Sequence, residues 1–479
     1  MQDLILGADI GTTSVKSVLF TFDGQQIASA GAEYPTDFIR AGWVAQNPHD
    51  WWDAFCTATQ TTLSQIEDAA NRIAGISISS QAPTMLALDE QGIPLYPALI
   101  WMDRRAETEV GELCDNVGEE RIKQITGNLP DAYYVAAKIR WLKNNEPDLF
   151  KRVHKFVQVN GYINLRLTGT YSLDEPHSGL LQLINQQAGT WSEVMLVACG
   201  TTAEQFPTIQ QGHEIQGEVT SSAAEATGLR AGTPVFVGGV DGTSAALEAG
   251  VAEAGIAAEM TGTSTVLLMP NTGSINEPAF ITMPHCVPGM QMLLGAIVST
   301  GSSLRWYRDQ FGTVERQKGE TLGISPFELM TAQAAQIEVG SNGVIFLPYM
   351  MGERSPIWHT QARGVLFGLS LATSRAAIIR ALLEGTAFAL RHNVEVGRAA
   401  GIELNEIRSV GGGSQSDLWN QIKADILGVP ILLPEAGTGA PFGNALIAGM
   451  GLGIYTDIRQ TVREMVKISK RYEPDAAHH

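Results

Sequence analysis

The sequence predicts an α/β fold built from two related halves, and three features carry that reading. An apolar run, Leu4 to Ala8, stops at Asp9-Ile10-Gly11-Thr12-Thr13-Ser14 and is followed by a β-rich run from Val15 to Phe22. The same order returns after Gly250: Gly255 to Glu259, then Met260-Thr261-Gly262-Thr263-Ser264, then Thr265 to Met269. Strand-like apolar runs alternate with helical spacing elsewhere, as where Pro234 to Gly239 leads through Val240-Asp241-Gly242 into a helix of small residues. Such self-similarity implies two domains, residues 1–247 and 248–479, abutting near 245–255 without a Pro/Ser-rich linker.

Size and composition agree. A chain of 479 residues exceeds what one hydrophobic core supports, and 44% apolar with 17% charged residues is an ordinary globular mix. Fifty acidic against 32 basic side chains give a formal charge of −18. That speaks against nucleic acid or an anionic membrane as partner, but not against a nucleotide, which needs only a local nest of donors. The four cysteines, Cys56, Cys114, Cys199 and Cys286, are scattered without CxxC or metal-ligand spacing, so a reduced, cytoplasmic setting is expected. The start shows no signal-like segment, and no apolar stretch is long enough to span a bilayer.

The elements follow in order. The turn at Gly11, Thr12 and Thr13 offers backbone N–H groups and hydroxyls that suit a phosphate tail; an ordinary hairpin turn has the same composition. Asp9, at the strand end, is placed where a carboxylate can hold hydrated Mg²⁺. Asp23-Gly24 is a turn signal, and Gln26 to Tyr34 reads as a third strand. Gly42 to Pro48 leads into a helix with Asn47 as cap and Pro48 at its first position, and Trp51, Trp52 and Phe55 face the core. Ile73 to Ser79 is a strand that ends in Ser80-Gln81-Ala82-Pro83 and resumes as Thr84 to Leu88.

In Ile100-Trp101-Met102-Asp103-Arg104-Arg105, Asp103 and Arg104 offer acceptors and forked donors to a polyhydroxy compound, or else form a surface salt bridge. Tyr133 to Asn145 has helical spacing, and Val157 to Leu167 continues the α/β pattern. Asp241 sits where a buried strand meets a helix N-terminus, a place that suits both a cap and chemistry. Ser299 to Trp306 starts a helix, and Arg375 to His392 forms another with Ile378, Ala381, Leu382, Gly385 and Phe388 inward. Ile407 to Val410 is a strand ending at Gly411-Gly412-Gly413, which lets a flat ligand approach the backbone; Ser414 to Leu427 is then a helix.

Taken together, Asp9-Ile10-Gly11-Thr12-Thr13, Gly42 to Pro48, Trp101 to Arg105, Gly239 to Gly242, Thr261 to Ser264, Gly352-Glu353-Arg354-Ser355-Pro356 and Gly411 to Gly413 resemble, as an ordered set over nearly the whole chain, the FGGY carbohydrate kinases. Two stretches depart from that family's signatures: Val135 stands where Pro, Ser or Thr is usual, and Ala377 where a polar residue is usual.

The resemblance implies two RNase H-like domains of the actin/hexokinase/Hsp70 type flanking a nucleotide- and sugar-binding cleft, an N-terminal sugar-binding and catalytic domain and a C-terminal nucleotide-binding one. It implies ATP and Mg²⁺, a small sugar or polyol, and Asp241 as general base toward a sugar hydroxyl. Asp9, with Asp241, is the implied Mg²⁺ site. The implied ATP contacts are Gly11, Thr12, Thr13 and Lys16, Thr261, Gly262, Thr263 and Ser264, and Gly301, Gly412, Gly413 and Ser416. The implied acceptor contacts are Gln81, Ala82, Pro83, Trp101, Asp103, Arg104, Asp241 and Gly242. A homodimer stays open.

For the acceptor, xylulose leads on length and general match. Two departures stand against it: the Met-His-Gly typical of ketopentose kinases is replaced by Ala82-Pro83-Thr84 after Gln81, and Gly242 replaces the usual Asn after the catalytic Asp. Gluconate, tetritols or other polyols and deoxyketoses remain, as does a sugar or ATP sensor that has lost catalysis. Glycerol is disfavoured, because no Arg-Glu pair follows Gln81.

Overall fold

The computed structural model describes residues 2–273, 275–435 and 437–479. The chain forms two compact units. One comprises Met1–Glu248, Thr282–Met292 and Gly437–Met465; the other comprises Ala249–Ile281, Leu293–Ala436 and Val466–His479.

In the first unit, β1 (Leu4–Ile10), β2 (Ser14–Thr21) and β3 (Gln26–Glu33) run as consecutive antiparallel strands. The wholly buried β4 (Ile73–Ser80) joins β1 in parallel, and β5 (Ile215–Glu218) and β6 (Pro234–Phe236) extend the sheet. The order is β5-β6-β4-β1-β2-β3, and the short β7 (Gly239–Val240) also pairs with β4. Here the structure differs from the single strand expected over Pro234 to Gly239. The chain breaks between β6 and β7, where Gly238 takes φ +85°.

Helix α1 (Pro48–Leu63) covers β2 and β3. Its Asn47 side chain accepts the His49 N–H, and Trp51, Trp52 and Phe55 are buried in the core with Leu6, Val15 and Leu19. Burial of three aromatic side chains supplies much of the packing energy of this face. Helices α2 (Val135–Asn145) and α3 (Val159–Thr168) follow, and α4 (Asp241–Glu248) begins directly after β7. Of the stretch Thr84 to Leu88, only Leu86–Leu88 pairs as a strand, with Lys155–Val157.

The second unit repeats the plan: β8 (Gly255–Thr261) and β9 (Thr265–Asn271) form an antiparallel hairpin, followed by β10 (Gln291–Ile297). β11 (Leu404–Val410) lies parallel to β8, and with β12 (Ile431–Pro434) and β13 (Ile468–Tyr472) the strands run in the order β10-β9-β8-β11-β12-β13 within a seven-stranded sheet. Helix α5 (Gly301–Phe311) follows β10. α6 (Arg375–Ala399) is longer than its sequence spacing suggests, and Phe388, expected inward, is 53% exposed because the buried stripe passes through Leu383, Ala387, Leu390 and Val394. The helix expected from Ser414 begins as a tight turn at Gly412–Gln415; α7 (Asp417–Leu427) starts only after the Ser416 cap.

The chain then returns to the first unit as α8 (Ala440–Gly451), which packs on β1, β4 and α4. The approach is backbone to backbone: a Cβ on Gly7 would overlap the Pro441 carbonyl, and one on Gly443 the Ser244 carbonyl.

Candidate active site

The end of β4 organises the first unit's polar centre. Ser79 lies opposite Asp9 on one side and Gly239 on the other; Ser80 lies opposite Ile10 and Val240. The two strands that flank β4 therefore deliver Asp9 and Asp241 to the same end of the sheet. Ser79 Oγ donates to Asp9 Oδ1 at 2.6 Å, and the Gly242 N–H donates to Asp241 Oδ1 at 2.6 Å. Burial raises the pKa of both acids, and the Asp241 charge raises that of Asp9 further. A side chain on Gly242 would meet open space, so the missing side chain leaves room beside Asp241.

The Gly11–Thr13 turn is held by its carbonyls. Gly11 O accepts from the Tyr34 hydroxyl, Thr12 O from Gln46 Nε2 at 2.7 Å, and Thr13 O from the Tyr34 N–H at 3.1 Å. Thr12 Oγ1 accepts from Trp101 Nε1 at 3.1 Å. With its acceptors engaged by protein, the turn keeps donors for an anion. Lys16, opposite Asp9 in β2, donates to Thr438 O at 2.8 Å. Beside this contact the partly buried Glu248, last residue of α4, packs against Gly437–Gly439, and burial pushes its carboxyl up to about 7 despite the nearby N–H groups and Lys16.

The expected acceptor residues divide. Gln81 is buried, donates to Gln46 Oε1 at 2.7 Å, and keeps its own Oε1 without a protein donor. Ala82 O accepts from the Tyr133 hydroxyl at 3.2 Å, and the Ala82–Pro83 peptide is cis. Asp103 is fully buried and serves as an internal strut rather than as one side of a surface salt bridge. It accepts from the Val44 N–H at 2.6 Å and pairs with Arg105 at 2.8 Å. Arg104 is clamped on Asp131 by both terminal nitrogens and reaches Glu107 at 3.3 Å. Behind them Lys138 is wholly buried, donates to Ile100 O at 2.7 Å and Tyr133 O at 3.0 Å, and is drawn down to about 7 by burial.

Sequence reasoning missed several members. Asn444 of α8 donates to Ala8 O at 2.6 Å and Ser79 Oγ at 2.8 Å, and accepts from Ser244 Oγ at 3.0 Å. On the opposite side of β4, Ser80 Oγ lies 3.3 Å from His177 Nε2, and His177 Nδ1 lies 2.6 Å from Asp174 Oδ2. Asp174-Glu175-Pro176 carries a helix-start signal, and Asp174 does cap the short helix Glu175–Gly179. No local pattern links it to Ser80.

In the second unit the Gly262 N–H donates to Ser264 O at 2.9 Å, as Gly11 donates to Ser14 O at 3.0 Å in the first. A buried relay braces this turn: Lys423 Nζ to Glu259 Oε1 at 2.6 Å, Thr261 Oγ1 to the same oxygen at 2.9 Å, Thr265 at 2.6 Å from Thr261, and Thr265 to Thr300 at 2.9 Å. The Glu259–Lys423 pair was also not foreseen. Thr263 O accepts the Ser302 N–H at 2.9 Å, and a Cβ on Gly301 would overlap Gly262 O. Gly411 and Gly413 lie against Thr261, so the turns at 261–264 and 411–413 and the start of α5 meet at one end of the sheet; Gly412 sits in the open between them. The Ser416 hydroxyl accepts the Trp419 N–H at 3.3 Å as the α7 cap.

Comparison with known proteins gives these units a context. Residues 4–248 match the N-terminal domain, and residues 257–452 the C-terminal domain, of the FGGY family of carbohydrate kinases. The chain is 30% identical over 478 residues to xylulose kinase of Escherichia coli (strain K12), covering 99% of this chain and 95% of that one. It is 29% identical to gluconokinase of Bacillus subtilis (strain 168), covering 99% and 92%. The crystal structure of xylulose kinase from Rhodospirillum rubrum superposes with a TM-score of 0.92 at 29% identity, covering 99% of this chain and 95% of that one. A mixed α/β, two-domain actin/hexokinase-like fold, both family domains and full-length similarity lead to one conclusion: the chain belongs to the FGGY family of carbohydrate kinases and is a sugar kinase.

Proposed function

We propose that the chain transfers the γ-phosphate of ATP, with Mg²⁺, to a hydroxyl of a small uncharged polyhydroxy acceptor, with a ketopentose such as xylulose as first choice. The observation that carries this is the pair of partly buried acids, Asp9 and Asp241, set at one end of the sheet on either side of Ser79-Ser80. Asp241 takes the proton of the attacking hydroxyl; its raised pKa makes it a better base than an exposed carboxylate. Asp9 and Asp241 fit a hard cation, since two like charges in a partly buried site are relieved by one, and Ser79 orients Asp9 for it. When bound, Mg²⁺ supplies neutralisation of the phosphate charge. The Gly11–Thr13 and Thr261–Ser264 turns supply phosphate donors. Gly301, Gly412 and Gly413 allow the nucleotide to approach the backbone, and Ser416 lies beside them.

The acceptor contacts are Gln81, Ala82, Pro83, Trp101 and Gly242; Gln81 Oε1 is buried without a protein donor. A second reading, an aldonate acceptor, draws on the gluconokinase relative. The cations near these residues speak against it: Arg104 is engaged by Asp131 and Glu107, Arg105 by Asp103, and Lys138 by two carbonyls.

The test is ADP release against ketopentoses, polyols, aldonates and deoxyketoses, with a no-sugar control. The expected result is release that depends on a neutral sugar. Preference for an aldonate selects the second reading, and strong release without sugar overturns both.

A further inference from the structure

The fully buried cluster at Asp174, His177 and Ser80 is not part of the reading above, although it touches the strand end on which that reading rests. Ser80 and His177 are each 0% exposed, as is Asp174, and Asn160 is 2% exposed. Asp174 Oδ1 accepts the His177 N–H at 2.9 Å and Oδ2 accepts Asn160 Nδ2 at 2.9 Å, so the carboxylate is fixed before it meets the ring. His177 Nδ1 lies 2.6 Å from Asp174 Oδ2, and the tautomer that donates from Nδ1 to this oxygen leaves Nε2 as an acceptor. Ser80 then donates to Nε2 at 3.3 Å and accepts the Asn160 N–H at 3.1 Å. The Ser80 hydroxyl is thereby engaged both as donor and as acceptor, on the face of β4 opposite to Ser79 and Asn444.

The order acid–imidazole–hydroxyl is that of a nucleophilic triad. Ser80, however, lies in mid-sheet with strands on both sides and no exposed surface, so no substrate reaches it. A buried polar cluster of this kind is costly compared with apolar filling and gains its use from fixing one geometry. What it fixes is the backbone of Ser80, which is paired with Val240, the residue immediately before Asp241, and with Ile10, the residue after Asp9.

We propose that His177, oriented by Asp174, is a positioning residue for Asp241 and acts through Ser80. This rests on the assignment of Asp241 as the base.

The test uses the full chain. His177→Leu, Ser80→Ala and the double variant are compared with wild type in kcat at saturating ATP and sugar, KM for ATP and thermal melting; His177→Gln keeps a polar group toward Ser80. Each single variant is expected to lower kcat roughly ten- to hundred-fold with KM for ATP within about two-fold, and the double variant to be no slower than the slower single, because both remove the same link. His177→Gln is expected to recover part of the loss. Losses that multiply in the double variant, or kcat unchanged in Ser80→Ala, overturn the positioning role even if His177→Leu fails to fold. Wild-type protein without sugar-dependent turnover takes down the function reading and this inference together.

Discussion

Ser79 donates its hydroxyl proton to Asp9 Oδ1 over 2.6 Å while accepting from Asn444 Nδ2 at 2.8 Å. The orientation of the Asp9 carboxylate therefore depends on a serine in the neighbouring strand and an asparagine 435 positions away in sequence, on α8. Ser79→Ala is expected to raise the Mg²⁺ concentration for half-maximal activity and to lower kcat by about ten-fold, the usual cost of losing a group that orients a metal ligand. A Mg²⁺ titration of ADP release reads both effects; an unchanged titration removes Ser79 from this role.

Asp241→Asn keeps the shape of the side chain and removes its basicity. Nucleotide affinity should stay within about three-fold while kcat falls by roughly three orders of magnitude or more. Fluorescent nucleotide binding and ADP release separate the two. Turnover near that of wild type would deny Asp241 the role of base.

Glu248 gives a pH signature of its own. Its folded-state pKa is raised to about 7 from 4.5, so the folded chain holds the proton more tightly than the unfolded one. Its stabilising contribution is present in full below about pH 4.5 and is lost as pH rises through about 7. Glu248→Gln should therefore melt a few degrees above wild type at pH 8, a gain of roughly 1–3 kcal/mol, and show little difference near pH 5. A gain independent of pH would mean that burial of the charge is not its source.

Gly301→Ala places a methyl group on Gly262 O, so the Thr261–Ser264 turn has to shift. KM for ATP should rise about ten-fold or more while KM for the sugar moves less than two-fold. Equal effects on both constants would contradict the assignment of this turn to the nucleotide.

Lys423→Met strips Glu259 of its cation in a site where the carboxylate is 0% exposed. Unfolding in denaturant should show a loss of about 3–5 kcal/mol, because a buried charge is left unpaired.

Local features carried the fold well. The hairpins at 4–21 and 255–271, the Asn47 cap and the strand-to-helix joint at Asp241 are each set by neighbours in sequence, and in each the structure agrees in type with the sequence pattern. The misjudged points depend on tertiary contacts. Phe388 faces outward because neighbouring elements choose which stripe of α6 is buried, and Gly238 breaks a strand because β7 must shift to pair with β4. The same holds at the site. Asp9 and Asp241 announce themselves at strand ends beside Gly and Thr, whereas in sequence Asp103 reads as an acceptor contact or a surface salt bridge, and its burial against Val44 and Arg105 depends on tertiary contacts. Asp174, His177, Asn444 and Lys423 meet partners that only the sheet order brings near.

The insertion of α8 between β1 and α4 has a consequence for synthesis. Gly7, Ala8 and Ser79 remain without their cover until residues 437–451 have left the ribosome, about two hundred residues after Glu248. At ordinary translation speeds the incomplete sheet then waits on the order of ten to forty seconds for its last helix. A fragment ending at Glu248 would carry that uncovered face permanently, so the first unit is better expressed within the whole polypeptide than as an excised module.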